Sequence, residues 1–111
     1  VTAPLYRPGP ARRGLYMDTA TRRVWVDGTE LDPSLSSIQF DLLNMLLKRE
    51  GEVCTRDEII DSIYADEASE GITDQAIDAL VRRLRERLAE SGSTHPYIET
   101  VRGQGFRLKQ P

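Results

Sequence analysis

The chain of 111 residues is 39% hydrophobic and 30% charged, with a net charge of −3, which fits one soluble globular domain with a single packed core. No apolar run reaches the roughly 18 residues a membrane span needs, and the opening VTAPLYRPGPARRG lacks the apolar centre of a signal peptide. A lone cysteine, Cys54, excludes an internal disulfide, a cysteine zinc site and a Cys-x-x-Cys redox pair, so a reducing cytoplasm is the expected compartment.

Residues 1–13 carry Pro4, Pro8, Gly9 and Pro10 with few apolar groups and read as a linker or N-terminal extension. The domain proper is expected over 14–109. Between Leu15 and Leu35 the short apolar pieces LYM, RVWV and TEL are separated by DTAT and by the Asp27-Gly28 turn signal, which predicts a small antiparallel sheet. Ser36 with Gln39 forms a capping box, and Phe40, Leu43, Leu46 and Leu47 recur at helical spacing until Gly51 supplies a stop, giving a first helix over about 37–49. A second capping box, Thr55 with Glu58, precedes Ile59, Ile60 and Ile63 and opens a short helix that ends near Tyr64. After the interruption ADEASEG, the segment TDQAIDALVRRLRERLAE predicts the longest helix, over about 73–90, ending before Ser91-Gly92.

The chain closes on two β-prone runs, YIETV and FRLK, joined by RGQG. Its glycine pair admits two readings. A phosphate-cradling loop needs a strand before it and a helix after it, yet only six residues follow Gly105, and they include Phe106-Arg107-Leu108 and a terminal proline. A hairpin needs a glycine at positive φ; the context favours this reading, which calls for no cofactor and leaves Arg102 at the tip.

On a helical projection Ile77, Val81, Leu84 and Leu88 fall on one side of the third helix, with Thr73 and Leu80 at its edge. Opposite lie Gln75, Ala79, Arg82 and Glu86, flanked by Asp78 and Arg85 on one side and Arg83 on the other. Such a face suits a helix in a DNA major groove, where arginine takes guanine bidentately, glutamine matches adenine and small residues admit the backbone. It equally describes an ordinary solvated helix with an Arg82–Glu86 pair. Charge along the chain is segregated: residues 1–23 hold five basic side chains against one acidic, 24–71 three against twelve, and 72–111 seven against five. A locally basic face can therefore sit on an acidic domain. A short capped helix, a connection, a longer arginine-bearing helix and a hairpin with arginine at its turn follow the order of a helix-turn-helix with a wing. The predicted fold is α+β: a winged helix-turn-helix with an N-terminal antiparallel sheet, three helices and a C-terminal β-hairpin wing.

The sequence resembles the OmpR/PhoB-type winged-helix effector domain of bacterial two-component response regulators. The likeness covers about Gly14 to Lys109 and is densest in SSIQFDLLNMLLKREGEVCTRDEIIDSIY, DALVRRLRERL and YIETVRGQGFRL. It implies a four-stranded N-terminal sheet, three helices and a hairpin that bind double-stranded promoter DNA, often as head-to-tail pairs on direct repeats about one helical turn apart. It implies that Arg82 and Arg85 hold phosphates, that Arg83, Asp78 and Ala79 face base edges, that Thr100 meets a phosphate at the wing and that Arg102 enters the minor groove. The connection from Ala65 to Gly71, with Asp66, Glu67 and Glu70, falls where the family presents a loop to RNA polymerase; a solvated acidic loop that repels DNA and so fixes the docking face is the equal alternative. Gln75, Leu80, Tyr64 and Phe106 depart from the family pattern, each removing a charge or a donor, so weaker binding or a different base preference is expected. Leu80 completes the core, the common case for such a leucine, or packs on a thymine methyl.

His95, Cys54 and Trp25 read as structural residues. One histidine and one cysteine leave no catalytic or metal-ligating set to recognise, so no enzyme is expected. The expected function is sequence-specific DNA binding by a domain cut from a longer transcriptional regulator whose sensing part precedes Val1. A rival reading, a winged-helix protein-interaction module with weak or lost DNA binding, draws on the pI of 5.2 and on the donors missing at Gln75, Leu80 and Phe106.

Overall fold

Three amphipathic helices and two small antiparallel sheets share one apolar core in the computed structural model, which describes residues 13–64 and 71–111. The first sheet is the ribbon β1 (Leu15–Asp18), β2 (Arg23–Val26) and β3 (Thr29–Glu30), in that spatial order. Asp27 and Gly28 connect β2 to β3 with φ of 52° and 85°, the doubly left-handed geometry that lets a two-residue loop follow the twist of its strands. Val24 and Val26 join the common core, whereas Trp25, alternating to the other face, lies under Tyr16 at 5.6 Å and the Arg23 guanidinium at 5.2 Å. Among the described residues this sheet has three strands rather than the implied four. After the buried Leu31 the chain reaches Pro33, which has no N–H to extend a ladder.

Helix α1 (Ser37–Lys48) opens on the capping box: Gln39 N–H donates to Ser36 Oγ at 3.2 Å and Ser36 N–H to Gln39 Oε1 at 3.0 Å. Its buried face, Phe40, Leu42, Leu43 and Leu46, is wider than the predicted stripe, because α1 packs against elements on several sides. The two-residue strand β4 (Cys54–Thr55) leads directly into α2 (Arg56–Ile63), which the Thr55–Glu58 box caps at 2.9 and 3.1 Å. Helix α3 (Asp74–Ala89) starts where Thr73 Oγ1 accepts from Ala76 N–H at 3.1 Å, and it buries Ile77, Val81, Leu84 and Leu88. These four recur at the spacing that the helical projection selects, and Leu80 packs against the same core.

The second sheet has the order β4, β6 (Gly105–Leu108), β5 (Ile98–Val101). The predicted hairpin is thus one side of a three-stranded sheet, with Cys54 opposite Phe106 and Thr55 opposite Gly105 on β4, and Thr100 opposite Phe106 on β5. No sequence signal announces β4, since two residues carry no periodicity. Cys54 is fully buried there. Gln104 N–H closes the hairpin turn on Val101 O at 2.9 Å. The two glycines of the turn serve different ends: Gly103, at φ 76°, supplies backbone freedom with open space around it, while Gly105 lies so close to β4 that a Cβ would run into Cys54 O and sit 2.9 Å from Thr55 Cα.

Candidate nucleic-acid interface

Because the apolar stripe of α3 is consumed by the core, its opposite face is left to solvent, and the wing turn projects from the neighbouring sheet. Gln75, Asp78, Arg82, Arg83, Thr100 and Arg102 are exposed, and Ala79 and Arg85 are half-buried. The charged members divide by what they already hold. Asp78 accepts from Arg56 of α2, whose Nε and Nη2 both lie 2.8 Å from the single oxygen Oδ1. Arg85 donates through Nε and Nη2 to Ile98 O, at 3.1 and 2.8 Å, and through Nη2 to Thr100 Oγ1 at 2.8 Å. Arg87 pairs with Glu90 at 2.9 Å and donates to Pro33 O and Ser34 O, clamping the far end of α3 to the loop ahead of α1. On the wing Arg107 pairs with Glu99 at 2.7 Å.

By contrast Arg82, Arg83 and Arg102 make no hydrogen bond or ion pair among the described residues. The Arg82–Glu86 pair of the solvated-helix reading is not formed there either. Of the departures from the family pattern, Tyr64 and Leu80 are half-buried against the core, and Phe106 is 3% exposed. Its ring is approached by the guanidinium centres of Arg56 at 4.9 Å and Arg85 at 5.9 Å. Asp66, Glu67 and Glu70 lie outside the described residues. No group of three metal-ligating side chains occurs among the described residues, and His95 is engaged structurally, with Nε2 2.8 Å from Lys109 O and its ring edge-on to Tyr97.

The root of the wing is tied to the first sheet by contacts that no local motif announces. Tyr97 donates its hydroxyl to Asp27 Oδ1 at 2.5 Å, Gly14 N–H donates to the same oxygen at 2.8 Å, and Gln110 brackets Leu15 with bonds of 2.8 and 3.0 Å. Donation from Gly14, then from Ser93 and Tyr97, holds the Asp27 carboxyl down at about 2, while burial and the Asp27 bond push the Tyr97 phenol up to about 12. A depressed carboxyl contributes stability that is complete above its unfolded value near 4 and is lost as pH falls toward 2; a raised phenol contributes stability lost as pH climbs from about 10 to 12. Because Asp27 is only half-buried, the acid-sensitive part is on the order of 1 kcal/mol after screening. Tyr97→Phe is expected to lower stability at pH 7 by about 1 kcal/mol, with the gap from the unsubstituted chain shrinking between pH 4 and 2 and again above pH 10. Urea melts across that range check it; a gap that stays constant would show that the Tyr97–Asp27 bond carries no such linkage.

The model of the family described as "Transcriptional regulatory protein, C terminal" matches residues 28–108. Among individual proteins the chain is similar to the sensory transduction protein BceR of Halalkalibacterium halodurans, 41% identical over 76 residues that make up 68% of this chain and 32% of the relative. It is also similar to the sensory transduction protein RegX3 of Mycolicibacterium smegmatis, 34% identical over 102 residues, 91% of this chain and 41% of the relative. The chain spans less than half the length of these relatives. Among solved structures it is similar to the RstA DNA-binding domain of Klebsiella pneumoniae in complex with the RstA box, at a TM-score of 0.70 and 26% identity, covering 86% of this chain and 90% of that one.

Proposed function

The chain belongs to the family of transcriptional regulatory protein C-terminal domains, and we propose on that footing that it binds specific double-stranded promoter DNA, with α3 in the major groove and the β5–β6 wing at the adjacent minor groove. The observation that carries this reading is the division of charge: Asp78, Arg85, Arg87 and Arg107 are engaged within the domain, while Arg82, Arg83 and Arg102 stand exposed without partners among the described residues. A guanidinium with no internal bond meets a phosphate or a guanine edge without first breaking one. In this reading Arg82 holds a phosphate, Arg83, Asp78, Ala79 and Gln75 face base edges, and Arg102 enters the minor groove. Thr100, having accepted from Arg85, keeps its hydroxyl hydrogen to donate to a phosphate, and Arg85 keeps Nη1 for the same purpose. Head-to-tail pairing on direct repeats, contact of the 66–70 region with RNA polymerase, and action in the cytoplasm as the effector part of a two-component regulator complete the proposal.

Selection from a random duplex library tests it. A site should be enriched, and affinity for it should fall with salt at a log–log slope of about −0.9 per neutralised phosphate. Arg82→Ala is expected to flatten that slope by about one unit. Arg83→Ala should relax preference at one base position by about 1–3 kcal/mol, and Arg102→Ala should weaken binding with the melting temperature unchanged. No enriched duplex even at low salt would overturn the reading in favour of the protein-interaction module, to which the net charge of −3 is better suited.

A further inference from the structure

One cation in the fold touches three elements at once. Arg56 belongs to α2, the carboxylate it binds belongs to α3, and the ring it approaches belongs to wing strand β6. We propose that Arg56 is a positioning residue for DNA binding: through Asp78 and Phe106 it holds the recognition helix and the wing in the one relative placement from which Arg82, Arg83 and Arg102 engage a duplex together. The inference rests on the DNA-binding reading above.

The geometry uses one edge and the centre of the guanidinium. Its edge gives Nε and Nη2 to Asp78 Oδ1, both at 2.8 Å, and its centre is 4.9 Å from the Phe106 centroid. A guanidinium that donates from its edge while its centre lies over a ring makes both contacts simultaneously, and the point charge of a lysine does not. Phe106 is also 5.9 Å from the guanidinium centre of Arg85, which itself bonds Ile98 and Thr100 of β5. Two side chains from two helices thus converge on one wing ring. Arg56 is about one-quarter exposed and Asp78 about half, and ion pairs at such exposure add little to global stability. Their effect falls instead on relative placement. A helix and a wing that read neighbouring grooves are two contacts on one scaffold, and the effective concentration of the second contact, once the first has formed, depends on how narrowly the scaffold confines it.

A direct phosphate contact by Arg56 is the competing account, and salt dependence separates the two. On the duplex enriched by selection, affinity is measured for Arg56→Gln and Arg56→Lys in the full chain, each alone and combined with Arg102→Ala. Arg56→Gln is expected to weaken binding about tenfold and to dim wing protection in the minor groove while protection in the major groove persists. Whatever flattening of the salt slope accompanies the lost wing contact should vanish in the Arg102→Ala background, where no wing cation is left to lose. In the Arg102→Ala background the same change should cost less than about twofold, because no wing contact is left to position. Arg56→Lys, which retains charge but not the plane, should fall between Arg56→Gln and the unsubstituted chain. It carries the same comparison if melting shows Arg56→Gln to be unfolded. A slope flattened by about one unit in the Arg102→Ala background as well would reassign Arg56 to a phosphate, equal costs in the two backgrounds with no change of slope would reduce it to a general structural residue, and no cost would remove the role. Failure of the unsubstituted chain to enrich any duplex defeats the DNA-binding reading itself; binding without Arg56–Arg102 coupling defeats only the positioning role.

Discussion

Gly105→Val is expected to destabilise the domain by about 3 kcal/mol or more and to part β6 from β4. Two costs coincide at this position. The backbone sits at φ 155°, and a Cβ would meet Cys54 O, Cys54 C and Thr55 Cα, all of them main-chain atoms that cannot rotate aside. The strands must therefore separate, and with them go the Cys54–Phe106 pairing and the burial of the Phe106 ring. Gly103→Ala is the control: its φ is 76° and no atom lies within 4 Å of a new Cβ, so its cost should be only about 1–2 kcal/mol. Thermal melts of the two variants decide the matter, since each kcal/mol moves Tm by about 4–8 °C in a domain of this size. A Gly105→Val chain as stable as Gly103→Ala would contradict the close approach of β4 and β6.

Leu84→Ala should cost about 2–5 kcal/mol, because Leu84 is fully buried under α3 and its removal leaves a cavity as well as lost apolar burial. Its sequence neighbour Arg83 is exposed, and Arg83→Ala should stay within about 0.5 kcal/mol in stability. Urea denaturation separates them: the midpoint should fall for Leu84→Ala at constant m and barely move for Arg83→Ala. DNA selection should give the reverse ranking for base preference. If Leu84→Ala and Arg83→Ala had comparable effects on stability, the assignment of the two faces of α3 would be wrong.

Fold and candidate site were legible to different depths. Periodicity marked Ile77, Val81, Leu84 and Leu88 as core, and capping boxes located the starts of α1 and α2, because these are rules of short sequence range. The glycines of TVRGQGFRL declared a hairpin, but only its neighbour β4 distinguishes the backbone need at Gly103 from the steric need at Gly105. The exposed face of α3 could likewise be named from its period. Nothing local indicated that Asp78 is held by Arg56, 22 residues away, or that Arg85 is spent largely on Ile98 and Thr100.

What the sequence by itself determined is therefore the inventory: three helices, the first two with capping boxes, a tight Asp27-Gly28 turn, a glycine hairpin, and a helix with one apolar side and one side rich in arginine. Each follows from interactions within a few residues, where side-chain period, capping and turn conformation act directly. Only the tertiary structure decided which of those arginines are free. Arg56, Arg85 and Arg87 find partners on other elements, while Arg82, Arg83 and Arg102 find none among the described residues. That division depends on which strands and helices are brought side by side, and chain closure over tens of residues leaves no periodic trace in the sequence.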